Sequence, residues 1–241
     1  MFQVVITSTI FPQSNTPELV KSVFSPVDRL SQTIETIESL KQLGYSDIYL
    51  FDNSGTQYQA VLEKEFAGIA VKTFDHFQFN NKGISEAFLL LAAIKHLPAD
   101  RPIIKISGRY KLSDRIDFDD TQFDFAAKFY QHSDRLFFHK ETMATRCYAV
   151  KNKLIFEKYL IALLDEIYAY SGRIFGLGSF KRFLINQFNS NKNSYSYFNA
   201  NLSVEAASIN ALQKTQLKIA RLGKIGLSGL AGTFNDLLIE D

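Results

Sequence analysis

Two stretches of this chain carry residues in a pattern suited to phosphate chemistry. Asn80-Asn81-Lys82-Gly83-Ile84-Ser85-Glu86 is a polar, glycine-containing loop that opens an apolar helix. Further on, Pro102-Ile103-Ile104-Lys105-Ile106 reads as a buried strand that ends abruptly in Ser107-Gly108-Arg109-Tyr110. A helix start offers unpaired backbone N–H groups. A guanidinium can grip two phosphate oxygens at once. In an α/β sheet, ligands sit outside the carboxyl ends of the strands, so both stretches are expected to face one site.

The elements that must position these residues alternate along the chain. Phe2–Ile6 is a β-branched run that reads as a buried first strand. Thr7–Pro26 is a polar loop containing three prolines, long enough to be functional. Asp28 can cap a helix whose Leu30, Ile34, Ile37 and Leu40 recur at helical spacing and which ends at Gly44. Ile48–Phe51 and Ile69–Phe74 read as strands, Tyr58–Phe66 and Ile84–Leu97 as helices, and Ile103–Ser107 as a fourth strand. Such alternation argues for a parallel sheet with right-handed crossovers. After residue 112 the pattern changes. Leu136–Phe138 and Thr145–Val150 suggest an antiparallel addition, followed by helices over Lys153–Tyr170, Phe180–Phe188 and Val204–Leu222. The domain reading is one unit, 1–241. It divides into the alternating half, 1–112, a second half, 113–188, and a C-terminal helical extension, 189–241.

Composition narrows the classes. The chain has 241 residues, 46% of them hydrophobic and 22% charged, an ordinary globular balance. A net charge of +2 gives no argument for a nucleic-acid partner. Cys147 is the one cysteine, so no intrachain disulfide can form, and a reducing, cytoplasmic setting fits. The first ten residues carry no basic run, so no secretory signal is expected, and no run of 18 apolar residues predicts a spanning helix. His76, His96, His132 and His139 show no metal-ligand spacing.

The order of these blocks resembles a GT-A glycosyltransferase, whose nucleotide-sugar domain is a Rossmann-like α/β sandwich. Val4–Thr9 lies where that fold has its first strand and nucleotide-contacting turn, which implies donor contacts for Thr7, Ser8 and Thr9. Leu50-Phe51-Asp52-Asn53-Ser54 is similar to the acidic turn that reaches base or ribose. Asn81-Lys82-Gly83-Ile84-Ser85-Glu86-Ala87 is similar to the loop and helix that flank the donor. The likeness covers about residues 2–112 and thins after 150. It is nearest a bacterial and viral branch associated with surface polysaccharides, through Arg29 and Gln32, Asp52-Asn53-Ser54, Lys82-Gly83, Glu86, Ser107-Gly108-Arg109-Tyr110, and Thr145-Arg146-Cys147-Tyr148.

The resemblance implies a mostly parallel GT-A-like sheet flanked by helices, with a small antiparallel addition and C-terminal helices. It implies that 1–112 is the nucleotide-sugar half and 113–188 the acceptor-side half, with the donor held by Thr7, Ser8, Thr9, Arg29, Asp52, Asn53, Asn81, Lys82, Gly83 and Glu86 together with Ser107, Gly108 and Tyr110. The acceptor, with Arg146 and Tyr148 on its side, would be a glycan or a lipid-linked saccharide. One departure matters. The strand that should end in Asp-x-Asp, a binder of divalent metal, ends in Ser107-Gly108-Arg109. A fixed guanidinium can do the metal's electrostatic work, so transfer without a metal is favoured and no cofactor is required. Asp114, Asp117, Asp119 and Asp120 keep a displaced metal site open.

Plainer readings stand beside these. Arg109 can be a surface arginine pairing with an acid. Glu86 can simply favour the helix dipole. Asp52-Asn53-Ser54-Gly55 can be a tight turn. For proton abstraction from an acceptor hydroxyl, Glu141 is the candidate base, against a solvated turn charge. The helix over Val204–Leu222 either packs on the core or rests on an anionic membrane surface through its terminal basic cluster, at the inner face of the cell membrane. The leading expectation is therefore glycosyl transfer. The alternatives are a sugar-phosphate nucleotidyltransferase, or a non-catalytic nucleotide- or carbohydrate-binding protein. Ser8-Thr9-Ile10-Phe11 lacks the glycine-rich turn that a nucleotidyltransferase needs after its first strand.

Overall fold

The computed structural model describes residues 2–12, 23–75, 77, 79, 82–98, 101–131, 141–171, 203–230 and 237–240. The apolar runs become the centre of one sheet. Strands β1 (Gln3–Ser8), β2 (Ile48–Asp52), β3 (Ala70–Thr73) and β4 (Ile103–Ser107) pair in parallel, in the spatial order β4-β1-β2-β3. Strand β9 (Cys147–Val150) runs antiparallel beside β4, and β6 (Phe125–Ala127) and β10 (Ile219–Arg221) extend the sheet beyond it to seven strands. Only β9 runs against the rest, so the expected parallel α/β class with an antiparallel addition holds.

Period-two alternation sorts the strand residues between two apolar layers. Val4, Ile6, Leu50, Ile104 and Ile106 pack toward α1 (Pro26–Gln42) and α2 (Gln59–Glu65). Val5, Phe51 and Ile103 pack toward α3 (Lys82–Ala93), α4 (Lys153–Ser171) and α5 (Val204–Thr215). Val4, Val5 and Ile6 are wholly buried, and each such side chain contributes about 1.5–3 kcal/mol.

The differences from expectation have local causes. Helix α1 is capped by Ser25, not Asp28. Asp28 is the third helical residue, and the pair forms a reciprocal capping box. At the end of the expected nucleotide half and beyond it, short strands appear that no apolar run announces. They are β5 (Tyr110–Leu112), β7 (Phe129–Gln131), β8 (Glu141–Met143), β11 (Leu227–Leu230) and β12 (Leu237–Glu240). Strands β5, β11 and β12 form one antiparallel sheet, and β7 pairs with β8. The last helix ends at Thr215, with Gln216 in the left-handed conformation (φ 55°) as its cap, and the chain then enters β10. The C-terminal stretch is thus not purely helical. Val204, Ala207, Ala211 and Leu212 are buried in the α3–α4 layer, and Tyr159 of α4 shares a hydrogen bond with Ser208 at 2.8 Å. Of the two readings of this stripe, packing on the core is the one these contacts fit over Val204–Leu212. Among the described residues no helix is long and apolar enough to cross a membrane. The helix expected at Phe180–Phe188 and the strand expected at Leu136–Phe138 lie outside the described residues.

Candidate functional site

The site is built at the carboxyl ends of β1, β2 and β4. Sequence dictates its floor. Gly108 follows β4, and its amide donates to the Thr7 carbonyl at 2.8 Å. A Cβ at 108 would lie 3.2 Å from Ile6 Cγ2, 3.3 Å from Thr33 Oγ1 and 3.3 Å from the Thr7 carbonyl oxygen. Only glycine lets β4 turn here without moving β1 or α1. Thr33 Oγ1 donates to the Gly108 carbonyl at 3.1 Å, while Ser107 N donates to the Arg146 carbonyl at 2.9 Å. Arg109 leaves this turn half-buried.

Three cations meet above that floor. Arg29 of α1 is anchored by its Nη1 to the Thr9 carbonyl at 2.6 Å and by its Nε to the Phe24 carbonyl at 3.1 Å. Its pKa is lowered, first by desolvation and then by the positive charge of Arg109, with Asp52 opposing. Lys82, the first residue of α3, is lowered by desolvation and then by Arg109 and Arg29. Neighbouring contacts agree: Thr33, one turn after Arg29, bonds Gly108 beside Arg109, and Glu86, one turn after Lys82, accepts from Thr7 on the neighbouring strand. Among the described residues none of the three forms an ion pair with a carboxylate. Like charges held together without a partner are unfavourable, and an anion between them relieves that cost.

The expected acidic turn points inward. Asp52 is fully buried. Its Oδ2 accepts from Ser8 Oγ and from the Ile10 amide at 3.0 Å, and its Oδ1 accepts from the Ser54 amide at 2.8 Å. Ser54 Oγ accepts from the Phe11 amide at 2.8 Å. Asp52, read from the sequence as reaching a base or ribose, therefore holds the turn after β1. Ser8 is tied to it in the same network. Asn53 is also turned inward. Its side-chain amide donates to the Phe77 carbonyl at 2.9 Å and accepts from the Phe77 amide at 2.8 Å, which pins the loop before α3. Gly83 lies in the first turn of α3. Asn81 is outside the described residues.

One buried cation outside the motifs adjoins Glu86. Lys105 sits in the middle of β4 and is 1% exposed. Its Nζ lies 2.7 Å from Glu86 Oε1 and donates to the Thr145 carbonyl at 2.8 Å, above the Tyr148 ring at 5.6 Å. Thr7 Oγ1 donates to the same Glu86 oxygen at 2.5 Å. A lysine inside Ile103-Ile104-Lys105-Ile106 was the available signal, because such a charge is buried only with a partner. Tyr148, expected on the acceptor side, is instead a core residue at 3% exposure, packed against Phe125 and Phe156. Burial pushes its phenol well up, and Tyr159 and Glu86 add to the shift.

Arg146 lies beside Tyr110, next to the Arg109 turn. Its Nε donates to the Tyr110 hydroxyl at 3.2 Å, and both Arg146 and Arg109 lie 5.7 Å from the Tyr110 ring centroid. Glu141, expected as a base, is on β8 and makes two hydrogen bonds with Arg221, at 2.5 and 3.1 Å. That pairing lowers its pKa and occupies both carboxylate oxygens. Among the described residues no three His, Cys, Asp or Glu side chains gather to hold a metal ion. Asp114 instead lies 3.4 Å from Lys224, and Asp119 accepts from Thr121 and Gln122.

No family model matches the chain, and comparison with curated proteins gives no match. Solved structures of similar shape include the nucleoside-diphosphate-sugar pyrophosphorylase from Vibrio cholerae RC9, at 10% identity and a TM-score of 0.48, covering 91% of each chain. Another, assigned as a glucose-1-phosphate thymidylyltransferase from Bacillus anthracis, has 12% identity and a TM-score of 0.49, covering 97% of this chain and 91% of that one. The bifunctional IspDF from Campylobacter jejuni has 8% identity and a TM-score of 0.46, covering 92% of this chain and 49% of that one. The first two names belong to nucleotide-sugar pyrophosphorylase and thymidylyltransferase chemistry. Glycosyl transfer, the leading expectation from the sequence, is corrected on that finding and not carried forward, and nothing among these matches supports the surface-polysaccharide branch. At such identities the ligand of this chain is argued from its own side chains.

Proposed function

We propose that the cleft binds the phosphates of a nucleotide, and that the chain transfers a nucleotidyl group to a sugar phosphate. The geometry that carries this lies at the ends of β1 and β4. Arg29 donates to the Thr9 carbonyl, Thr33 one turn along α1 donates to the carbonyl of Gly108 beside Arg109, and Glu86 one turn after Lys82 meets Thr7. Lowered pKa values for Arg29 and Lys82 agree with it. In the proposed reaction a sugar-phosphate oxygen attacks the α-phosphorus of a nucleoside triphosphate. The bond to the bridging oxygen between the α- and β-phosphorus breaks, and pyrophosphate leaves. Both reactants are anions, and their approach needs fixed positive charge. The three cations supply it, and the proposal requires no metal.

The missing glycine-rich turn is accommodated in this reading. The Ile10 and Phe11 amides are turned toward Asp52 and Ser54. Side chains rather than loop amides would then hold the phosphates. That same feature favours a second reading, in which the cleft binds a nucleotide without turnover. Supplying a panel of nucleoside triphosphates with sugar 1-phosphates and measuring pyrophosphate release separates the two. Release that Arg109→Ala abolishes supports transfer. Binding without release supports the second reading.

A further inference from the structure

Glu86 is a carboxylate placed beside a cluster that favours anions. On α3 it follows Lys82 by one helical turn, and it meets Thr7 at the end of β1, the residue whose carbonyl receives the Gly108 amide. Left alone, it would repel phosphate. The structure answers this by pairing it with Lys105, so the pair is neutral and the field of Arg29, Lys82 and Arg109 is undiminished. Neutralisation alone does not explain the arrangement. A buried ion pair gives little stability over apolar residues of the same size, and here both donors go to one oxygen. Oε1 receives Thr7 Oγ1 at 2.5 Å and Lys105 Nζ at 2.7 Å. Oε2 accepts no hydrogen bond from any described residue, and the Glu86 side chain is 26% exposed. An ionised carboxylate is acceptor-only. What it can receive beside bound phosphates is therefore a neutral donor, and the abundant neutral donors on a nucleotide or a sugar phosphate are ring hydroxyls.

We infer that Glu86 is the hydroxyl-recognising carboxylate of the cleft, with Oε2 accepting from a sugar-ring hydroxyl of the phosphorylated ligand. Lys105 and Thr7 are its positioning residues. They fix the rotamer by occupying Oε1, and Lys105 is itself locked by the Thr145 carbonyl and the Tyr148 ring. This inference rests on the nucleotide-binding reading and adds specificity to it. The hydroxyl belongs either to the ribose of the nucleotide or to the hexose of the sugar phosphate, and the test distinguishes them.

Calorimetric titration uses nucleoside triphosphates with their 2′-deoxy and 3′-deoxy counterparts, and hexose 1-phosphates with their deoxy counterparts. The key variant is the double substitution Glu86→Leu with Lys105→Met, which replaces the ion pair by apolar side chains of similar size. It is expected to weaken the hydroxylated ligand of one arm about tenfold and leave the matched deoxy ligand unchanged. The arm that responds identifies the sugar. Lys105→Met alone is expected to reduce the same hydroxyl-to-deoxy ratio, which a merely structural role would leave unmoved. Thr7→Val, nearly isosteric, is expected to reduce that ratio by a few-fold and covers the case in which the double variant does not fold. Equal weakening of hydroxylated and deoxy ligands, or no change, overturns the inference. If Arg109→Ala still weakens every phosphorylated ligand in that case, the nucleotide-binding reading survives. A wild-type protein that binds none of the ligands overturns both.

Discussion

Gly229 lies flat against Arg109. In β11 it pairs opposite Tyr110, and a Cβ at 229 would run into the Arg109 carbonyl oxygen and stand 2.7 Å from Tyr110 Cδ1. The C-terminal sheet thus sets the height of the turn that carries the site's arginine. Gly229→Ala is expected to destabilise the protein by about 1–3 kcal/mol, the range for overpacking a rigid position. It should also weaken phosphate binding, because β5 must move away from the cleft. Thermal denaturation and a phosphate titration on the same variant check both effects.

Asp52→Asn tests the inward reading of the acidic turn. The carboxylate accepts from Ser8, Ile10 and Ser54 through both oxygens. An amide accepts through one oxygen and presents N–H groups where the other accepted, leaving a buried donor facing a donor. A loss of about 2–3 kcal/mol in unfolding free energy is expected, measured by urea denaturation. A variant as stable as the wild type would instead place Asp52 at the ligand.

The Glu141–Arg221 pair carries a pH signature. Arg221, through its hydrogen bond and charge, lowers the Glu141 pKa from its usual 4.5. A group whose folded pKa is depressed contributes stability above its unfolded pKa and loses it as pH falls through the folded value. The Arg221 side chain is 60% exposed, so solvent screening holds the gain to about 0.5 kcal/mol. Glu141→Gln should therefore be slightly less stable than the wild type at neutral pH, with the gap closing below about pH 4.5. A gap that persists in acid would assign its cost to packing.

Much of the fold was legible because β1, β2 and β4 are short apolar runs followed by polar punctuation. The rule that ligands sit at strand ends directs attention to Lys82 and Arg109 from the sequence alone. Other features were hidden for physical reasons. Three-residue strands such as Ile219–Arg221 hold too few residues for a period to show, and their state is decided by the sheet edge they meet. Ser25 and Asp28 are both good caps, and only the backbone shows which one precedes the helix. The inward turn of Asp52 and Ser54 depends on the Ile10 and Phe11 amides, 42 and 43 residues away in the chain. Lys105 was visible as an odd charge in a strand, but its partner Glu86 was not.

The most direct measurement is calorimetric titration of nucleoside di- and triphosphates into the wild-type protein and into Arg109→Ala, at low and moderate salt. Arg29, Lys82 and Arg109 acting together predict binding that weakens as salt rises and that loses about 2 kcal/mol in Arg109→Ala. Nucleotide binding that is unchanged in Arg109→Ala and indifferent to salt would contradict the account.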